Sequence, residues 1–460
     1  MSSEMRAGFD YGRLRRALAE ELREELREGA PSWLARKYAG NPVLKRGAPG
    51  TFDELGAWHA TIVYINGRYY MFYTASCSLD TASKLGLAKP NNIAVASADS
   101  PLGPWTKHGI VVRAGPQAWE TLGGGIYVNP GSAIIGPDGR LWLYYFNGSE
   151  PGNIGIAYCS LDRLTDPTAW SKEPTNPVLS GTAGTYDSRR CWNPSLIITP
   201  GPTYNMIYHA LDDAGVRTLA LATSTDGKSW TKRGVVFRRG LPFGATWQAW
   251  DYNIEAHHVV RYADWFILVY EGAGVDGAWT VGLAYSKDLY VWAKCPYNPI
   301  LKESWREDAF DRGSVCVPFL LLDEAFPLPV IYYSGIDRTG SFSEYGAAFL
   351  NPEALQPERM PSLAFELWRG RAVPTAGDYT PAAPTKGFKR KTFILASDQG
   401  GTVEVRCDPA GTGGERTLKT TSFASAFTYF DLVEYGFEYA RMRFTPSAAA
   451  TVDAYLVLEK

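Results

Sequence analysis

One aromatic strand pattern occurs five times along this chain, and the recurrence constrains the fold more than any other property. The windows His59–Tyr73, Pro130–Tyr144, Pro194–Tyr208, Ala256–Tyr270 and Pro318–Tyr332 are equal in length, and their aromatic strands read YYMFY, RLWLY, YNMIY, WFILVY and PVIYY. Ahead of each stands an acid behind an aromatic: Phe52-Asp53, Trp119-Glu120, Tyr186-Asp187, Trp250-Asp251 and Phe310-Asp311. Behind four of them an apolar strand closes on Ser and Asp and is followed by a tryptophan: IAVASAD then Trp105, IGIAYCSLD then Trp170, LALATSTD then Trp230, VGLAYSKD then Trp292. The windows start 71, 64, 62 and 62 residues apart. Self-similarity at such a period is the signature of a repeat architecture. Spacing near forty residues, the mark of WD repeats, is not met.

Each repeat divides into four short strands: an acid-led first strand, the aromatic strand, the Ser/Asp strand, and an outer edge. That edge passes into a turn such as Asn41-Pro42-Val43-Leu44, Asn176-Pro177-Val178-Leu179 or Asn298-Pro299-Ile300-Leu301. Four-stranded units set around an axis make a β-propeller, which leaves only short protected edges. The expected fold class is therefore all-β. It comprises an N-terminal amphipathic helix within residues 1–40, a five-bladed β-propeller over 41–350, a Pro-rich connector over 351–390 and a C-terminal β-sandwich over 391–460. The first Asn-Pro turn precedes blade one while the fifth repeat lacks its terminal tryptophan, so the segment near Asn41 is expected to close the ring on the last blade. Residues 11–28 space Leu14, Leu18, Leu22 and Leu26 four apart and stop at Gly29 and Pro31, which predicts the helix. A stripe so narrow must dock on the body or on another copy. Pro352, Pro357, Pro361, Pro374, Pro381 and Pro384 stiffen the connector, and alternating segments such as KTFILAS, TVEVR and ATVDAYLVLE follow it.

Charge and cysteine usage exclude several functions. With 46 Lys and Arg against 48 Asp and Glu, the chain has no bulk attraction for nucleic acid or an anionic membrane. The start MSSEMRAGFD lacks the basic and apolar order of a secretory signal, and no stretch approaches the ~20 apolar residues of a membrane span. A cytoplasmic protein is expected, or a virion or extracellular one released by lysis. Six cysteines without a CxxC pair read as reduced, buried thiols rather than a disulfide frame or a zinc site. GxGxxG, P-loop and GxSxG motifs are absent, and Ser224–Trp230 only approximates a sialidase box.

Function is to be sought where the repeats disagree. The five leading acids are shared by all blades, so their first reading is structural, as acids bonding the amides of a turn. The position just before each window holds Trp58, Asn129, Asn193, Glu255 and Val317. Only blade four places a carboxylate there, on the strand that faces the propeller axis. Glu255 is thus the sharpest candidate; the plainer alternative is a salt bridge to Arg189 or Arg312. Four of the five histidines, His59, His209, His257 and His258, lie on these inner segments. His257 and His258 are adjacent, point to opposite faces of a strand and lack metal-ligand spacing. Arg189 and Arg190 follow Asp187, and Arg312 follows Asp311, either to clamp an anionic sugar or to neutralise the acids.

The leading acid, the YYMFY-type strand, the IxxAxSxD…W strand and the Asn-Pro turn, repeated five times, resemble the five-bladed propeller glycoside hydrolases over about residues 40–350. Arabinanases, β-xylosidases, fructan hydrolases and mannoside phosphorylases belong to that superfamily. The resemblance implies an axial pocket for a poly- or oligosaccharide, with carboxylate general acid/base catalysis. Carried over, Glu255 is the acid, Asp53 the blade-one base or nucleophile and Asp187 the tuning residue. Trp58, His59, Glu120, Asn129, Arg189, Asn193, Asp251, His257, Asp311 and Arg312 are the substrate-binding candidates. No cofactor is expected; the resemblance allows an axial divalent cation, but no ligand set in the sequence declares one. Where many members open blade one with Asp-Pro, this chain has Trp58-His59, and the blade-two pair is Asn129-Pro130. Glu54, Glu120 and a His-assisted arrangement therefore stay open as the base.

The ending YGFEYARMRFTPSAAATVDAYLVLEK is faintly similar to small β-modules that terminate phage virion proteins. That implies an alternative of another class: a non-catalytic glycan-binding component of a virion or surface appendage. Homo-oligomer or virion assembly would then run through the C-terminal domain or the N-terminal helix. The axis discriminates. Hydrolysis asks for two facing carboxylates, a binder manages with aromatic and hydrogen-bonding groups, and a scaffold fills the channel with side chains.

Overall fold

The computed structural model describes residues 34–120, 128–201, 203–240, 250–274, 277–304, 306–324, 326–385, 388, 390–408, 415–423, 426–433 and 439–459. The leucine-striped segment 11–28 lies outside the described residues. The chain forms two compact units, one of Met1–Val260, Leu268–Gly282 and Pro299–Pro352, the other of Arg261–Ile267, Leu283–Asn298 and Glu353–Lys460.

Five antiparallel blades are built on the inner strands Gly56–Ile65, Val128–Ile135, Arg190–Thr199, Asn253–Tyr262 and Ser314–Leu321. Of the second strands, Leu141–Asn147 and Trp265–Ala273 are buried at every position and the others at nearly every one. Each is covered on both faces by neighbouring blades, and for that reason it reads as a continuous apolar run rather than an alternation. Phe72 and Val95 of blade one pack with Leu143 and Tyr145 of blade two. Tyr144 and Ile156 of blade two pack with Met206 and Tyr208 of blade three. Met71 and Tyr73 share a cluster with Tyr332 and Tyr345, which joins blade five to blade one.

Closure is completed by the segment before blade one: Ala35–Lys37 pairs antiparallel with Ser343–Leu350. Asn41 then pairs with Ala347 like a peptide unit, its Oδ1 accepting the Ala347 N–H and its Nδ2 donating to the Ala347 carbonyl, both at 2.8 Å. Asn176 treats Ile156, and Asn298 treats Leu283, in the same way. The Asn-Pro turn thus replaces one residue of ladder pairing with a side chain, satisfying backbone groups where the outer edge breaks off.

The leading acids are a structural device. Tyr73, Tyr145, Tyr208, Tyr270 and Tyr333 each donate a hydroxyl to Asp53, Glu120, Asp187, Asp251 and Asp311 respectively. Lys107, Lys172, Lys232 and Lys37 add an ion pair to four of them, and all five acids are fully buried. This corrects the frame read from sequence in two blades. The tyrosines equivalent to Tyr73 are Tyr145 and Tyr333, not Tyr144 and Tyr332, whose hydroxyls instead meet the carbonyls of Gly227 and Pro101. Both sites are Tyr-Tyr doublets, and a one-residue slip moves a side chain to the other face of a strand.

Adjacent inner strands are stitched by one repeated bond. The amide of Leu196 donates to Ser132 Oγ at 3.3 Å, that of Val259 to Ser195 Oγ at 2.9 Å, and that of Leu320 to His258 Nδ1 at 3.3 Å. His258 therefore does in blade four what serine does in blades two and three. Replacing Ser195 with Ala strands the buried Val259 N–H, and a loss of about 1–3 kcal/mol is expected. A urea midpoint lowered at unchanged slope checks it.

In the second unit, Trp292–Lys294 pairs with Ser362–Val373, which pairs in turn with Ala450–Glu459. A second sheet carries Gly401–Asp408 between Tyr439–Pro446 and Arg416–Phe423. Burial alternates along Ala450–Glu459 and Tyr439–Pro446, as in a two-sheet sandwich. The span 351–390 differs from the expected connector by containing the twelve-residue strand Ser362–Val373. Pro361 and Pro374 flank that strand instead of interrupting it, a placement compatible with pairing.

Candidate functional site

Four of the inner strands change register along their length, with breaks between Trp58 and Ala60, Pro130 and Ser132, Trp192 and Ser195, and Cys316 and Phe319. His59, Asn193 and Val317 take left-handed backbone there, with φ of 34°, 48° and 50°. Bulges of this kind re-aim side chains. Counting from the stitching bonds, the equivalent positions just before the bulge are Trp58, Asn129, Trp192, Glu255 and Cys316. The sequence frame was one residue off in blades three and five, where it pointed to Asn193 and Val317. Glu255 is still the sole carboxylate of the set.

Trp58, Asn129, Trp192 and Glu255 line one cavity of about 270 Å³, together with His59, Thr74, Ser76, Asn91 and Phe146. Apolar walls with a few convergent polar groups are the usual character of a small-molecule site. A second, narrow cavity shares His59 with it and takes residues from every blade, among them Gly131, Asn193, His257 and Val317.

Glu255 accepts a hydrogen bond from Arg217, with Arg190 Nη1 3.9 Å away. Its partner is thus neither Arg189 nor Arg312, as expected from sequence. Arg189 and Arg190 both bond Glu150 at 2.8 Å, and Arg190 also lies 4.0 Å over the Trp192 ring. Arg312 stands 3.9 Å from Glu307 and does not line the cavity. The Glu255 carbonyl lies 3.1 Å from His257 Nδ1, whose Nε2 is 3.0 Å from the Ile207 carbonyl. Asn129 Oδ1 accepts the Thr74 hydroxyl at 2.8 Å, and His59 meets Phe146 edge-on. Burial pushes the imidazoles of His59 and His257 down to about 3 and about 4, so both are neutral near pH 7.

Asp53 and Asp187, carried over as base and tuning residue, are not at this cavity. They and the substrate-binding candidates Glu120, Asp251 and Asp311 sit in the buried acid–tyrosine clusters, each formed within one blade. Glu54 is equally engaged elsewhere: the Thr81 hydroxyl first, then the Gly50 amide and Ser78, hold its carboxyl at about 2. Among the described residues, no group of three or more His, Cys, Asp or Glu is placed to hold a metal ion. His257 and His258 already face backbone groups through ring nitrogens. These residues do not fit a directly ligated axial cation.

Sequence reasoning missed Arg217 and Glu271. Glu271 is 4% exposed, and its carboxylate accepts the amides of Ala256 at 3.0 Å and of Val317 at 2.6 Å. Burial pushes its carboxyl up to about 7, against the pull of those two amides and of Arg217. The signal was present: it is the only charged residue in the otherwise apolar run WFILVYEGA.

Residues 37–166 match the family model described as Glycosyl hydrolases family 43. A stretch of 77 residues, 17% of this chain, is 36% identical to an arabinan endo-1,5-alpha-L-arabinosidase B of Emericella nidulans, and covers only 16% of that protein. A solved glycoside hydrolase structure superposes over 72% of this chain and 94% of its own, with a TM-score of 0.52 and 15% identity. The catalytic domain of a Coprinopsis cinerea GH62 alpha-L-arabinofuranosidase does so over 70% and 99%, with a TM-score of 0.50 and 15% identity. At such identities the structural likeness speaks for fold. The propeller of this chain has the fold of the five-bladed glycoside hydrolase superfamily, and its first part, residues 37–166, carries the sequence pattern of glycosyl hydrolases family 43.

Proposed function

We propose that the chain is a glycoside hydrolase acting on a poly- or oligosaccharide in the axial cavity, with Glu255 as the group that handles the proton. The supporting observation is that, among the described residues, Glu255 is the one carboxylate lining that cavity, which it shares with the aromatic residues Trp58, Phe146 and Trp192. Arg217 and Arg190 both face Oε2 of Glu255, so the proton for the leaving oxygen is carried on Oε1 or follows displacement of the guanidinium by substrate. Water attacking the anomeric carbon needs a second acceptor. The neutral imidazole lining this cavity is that of His59, but the burial that holds it down to about 3 makes it a weak proton acceptor.

One observation favours a second reading, glycan binding without cleavage. No second carboxylate lines the cavity among the described residues. The two are separated by incubating the purified protein with arabinan, xylan, levan, mannan and aryl glycosides and measuring released reducing sugar. Release from any of them is expected. No release from the whole panel, with retardation on a glycan affinity gel, overturns hydrolysis in favour of binding.

A further inference from the structure

The residue that follows the acid-bonding tyrosine is Thr74, Phe146, His209, Glu271 and Ser334 in blades one to five. It meets the joint to a neighbouring blade. Thr74 donates to Asn129 at 2.8 Å, Phe146 packs against Trp192, and Ser334 Oγ bonds the Ala57 carbonyl at 3.3 Å. A hydroxyl or a ring is therefore enough to hold this joint. Blade four alone places a carboxylate there, in a buried setting where an ionised group is unfavourable unless something requires it.

What lies against that carboxylate is the site. The Ala256 N–H it accepts belongs to the peptide bond that carries Glu255, and the carbonyl of the same peptide faces His257. The Val317 N–H it accepts sits at the left-handed bulge of the next blade. The ionisable groups facing it are Arg217 from blade three and Cys316 and Tyr345 from blade five. Arg217 is also the guanidinium bonded to Glu255.

We infer that Glu271 is a positioning residue for Glu255: it pins the Glu255–Ala256 peptide and competes with Glu255 for the charge of Arg217. The inference rests on Glu255 being the proton-handling group. Ionised, Glu271 draws on Arg217 and loosens its hold on Glu255; protonated, it leaves Arg217 to Glu255. Because burial pushes the Glu271 carboxyl up to about 7, the exchange falls near neutral pH. The same shift has a sign in stability. A carboxyl raised on folding makes the folded state bind the proton more tightly, so its contribution is present at low pH and is lost as pH rises from about 4.5 towards about 7.

The test compares the full-length protein with Glu271→Gln and Glu271→Asp, following kcat, KM and glycan-gel retention from pH 5 to 9. Gln keeps the size and one acceptor but has no titration. It is expected to lower kcat by about 10–100-fold at nearly constant KM, as misplacement of a reacting group does. It should also remove an inflection near pH 7 that the parent shows, and Asp should restore the inflection. Loss of turnover only in proportion to lost folded protein, with the inflection intact in Glu271→Gln, overturns the inference and leaves a blade-joint role. If the parent cuts no glycan, the hydrolytic reading falls separately. The inference is then decided by retention: an inflection near pH 7 that Glu271→Gln abolishes supports it, and a flat parental profile overturns it.

Discussion

Glu255→Gln is expected to lower turnover by about 10²–10⁴-fold, the range for a positioned acid or base, while glycan retention changes little. Glutamine keeps the shape of the side chain and can still meet Arg217 through its amide oxygen. It cannot give up or take a proton. The aromatic walls Trp58, Phe146 and Trp192 are untouched, so the surface a sugar ring would stack against remains. Stability should change modestly, because Glu255 and Arg217 are both partly solvated and Arg217 keeps Glu150 and Glu271 in its field. The measurements are initial rate on the most active substrate of the panel, gel retention, and a thermal midpoint. Turnover unchanged in Glu255→Gln would remove the carboxylate from the chemistry. Loss of retention together with turnover would make Glu255 a ligand-binding group and favour the non-catalytic reading.

The fold was legible because the strands that form it announce themselves five times over. Aromatic second strands buried on both faces need continuous apolar runs, and those runs set the period. The register inside the period was less legible. Doublets such as Tyr144-Tyr145 and Tyr332-Tyr333 offer two residues for one role, and only the hydroxyl's partner decides between them. Glu255 stood out as an exception among equivalent positions. Its partner Arg217 did not, because the contact crosses from blade three to blade four over 38 residues and leaves no local spacing to read. The tyrosine bonds of Asp53 and Asp187 go with their recurrence in every blade, whereas the roles carried over to them rest on the resemblance alone. Glu271 carried the opposite lesson, a charge inside an apolar strand that periodicity alone passes over.

Asp187→Ala is expected to cost about 3–5 kcal/mol of stability, the range for removing one partner of a buried ion pair, with little effect on the chemistry of the protein that remains folded. Asp187 is fully buried and accepts from Lys232 at 2.6 Å, the Tyr208 hydroxyl at 2.9 Å, the Thr185 hydroxyl at 2.8 Å and the Thr182 amide at 3.0 Å. Alanine leaves all four donors without this acceptor, one of them charged and half-buried. Burial alone would raise the carboxyl, but Lys232, the Thr182 amide and the Thr185 hydroxyl outweigh it and hold the group below the ordinary carboxylate range. A depressed folded value means that this stabilisation is present above about pH 4 and is lost as pH falls through the folded value. Asp187→Asn, which mimics the protonated form, should therefore flatten that part of the acid-denaturation curve. Urea unfolding at pH 7 and acid titration at low urea read the two effects. Activity that follows the folded fraction in both variants confines Asp187 to the buried acid–tyrosine cluster of its own blade. A further drop in kcat per folded molecule, with a shifted pH profile, would instead mean that the buried acid reaches the axis through strand Arg190–Thr199, and would restore the tuning role the resemblance implied.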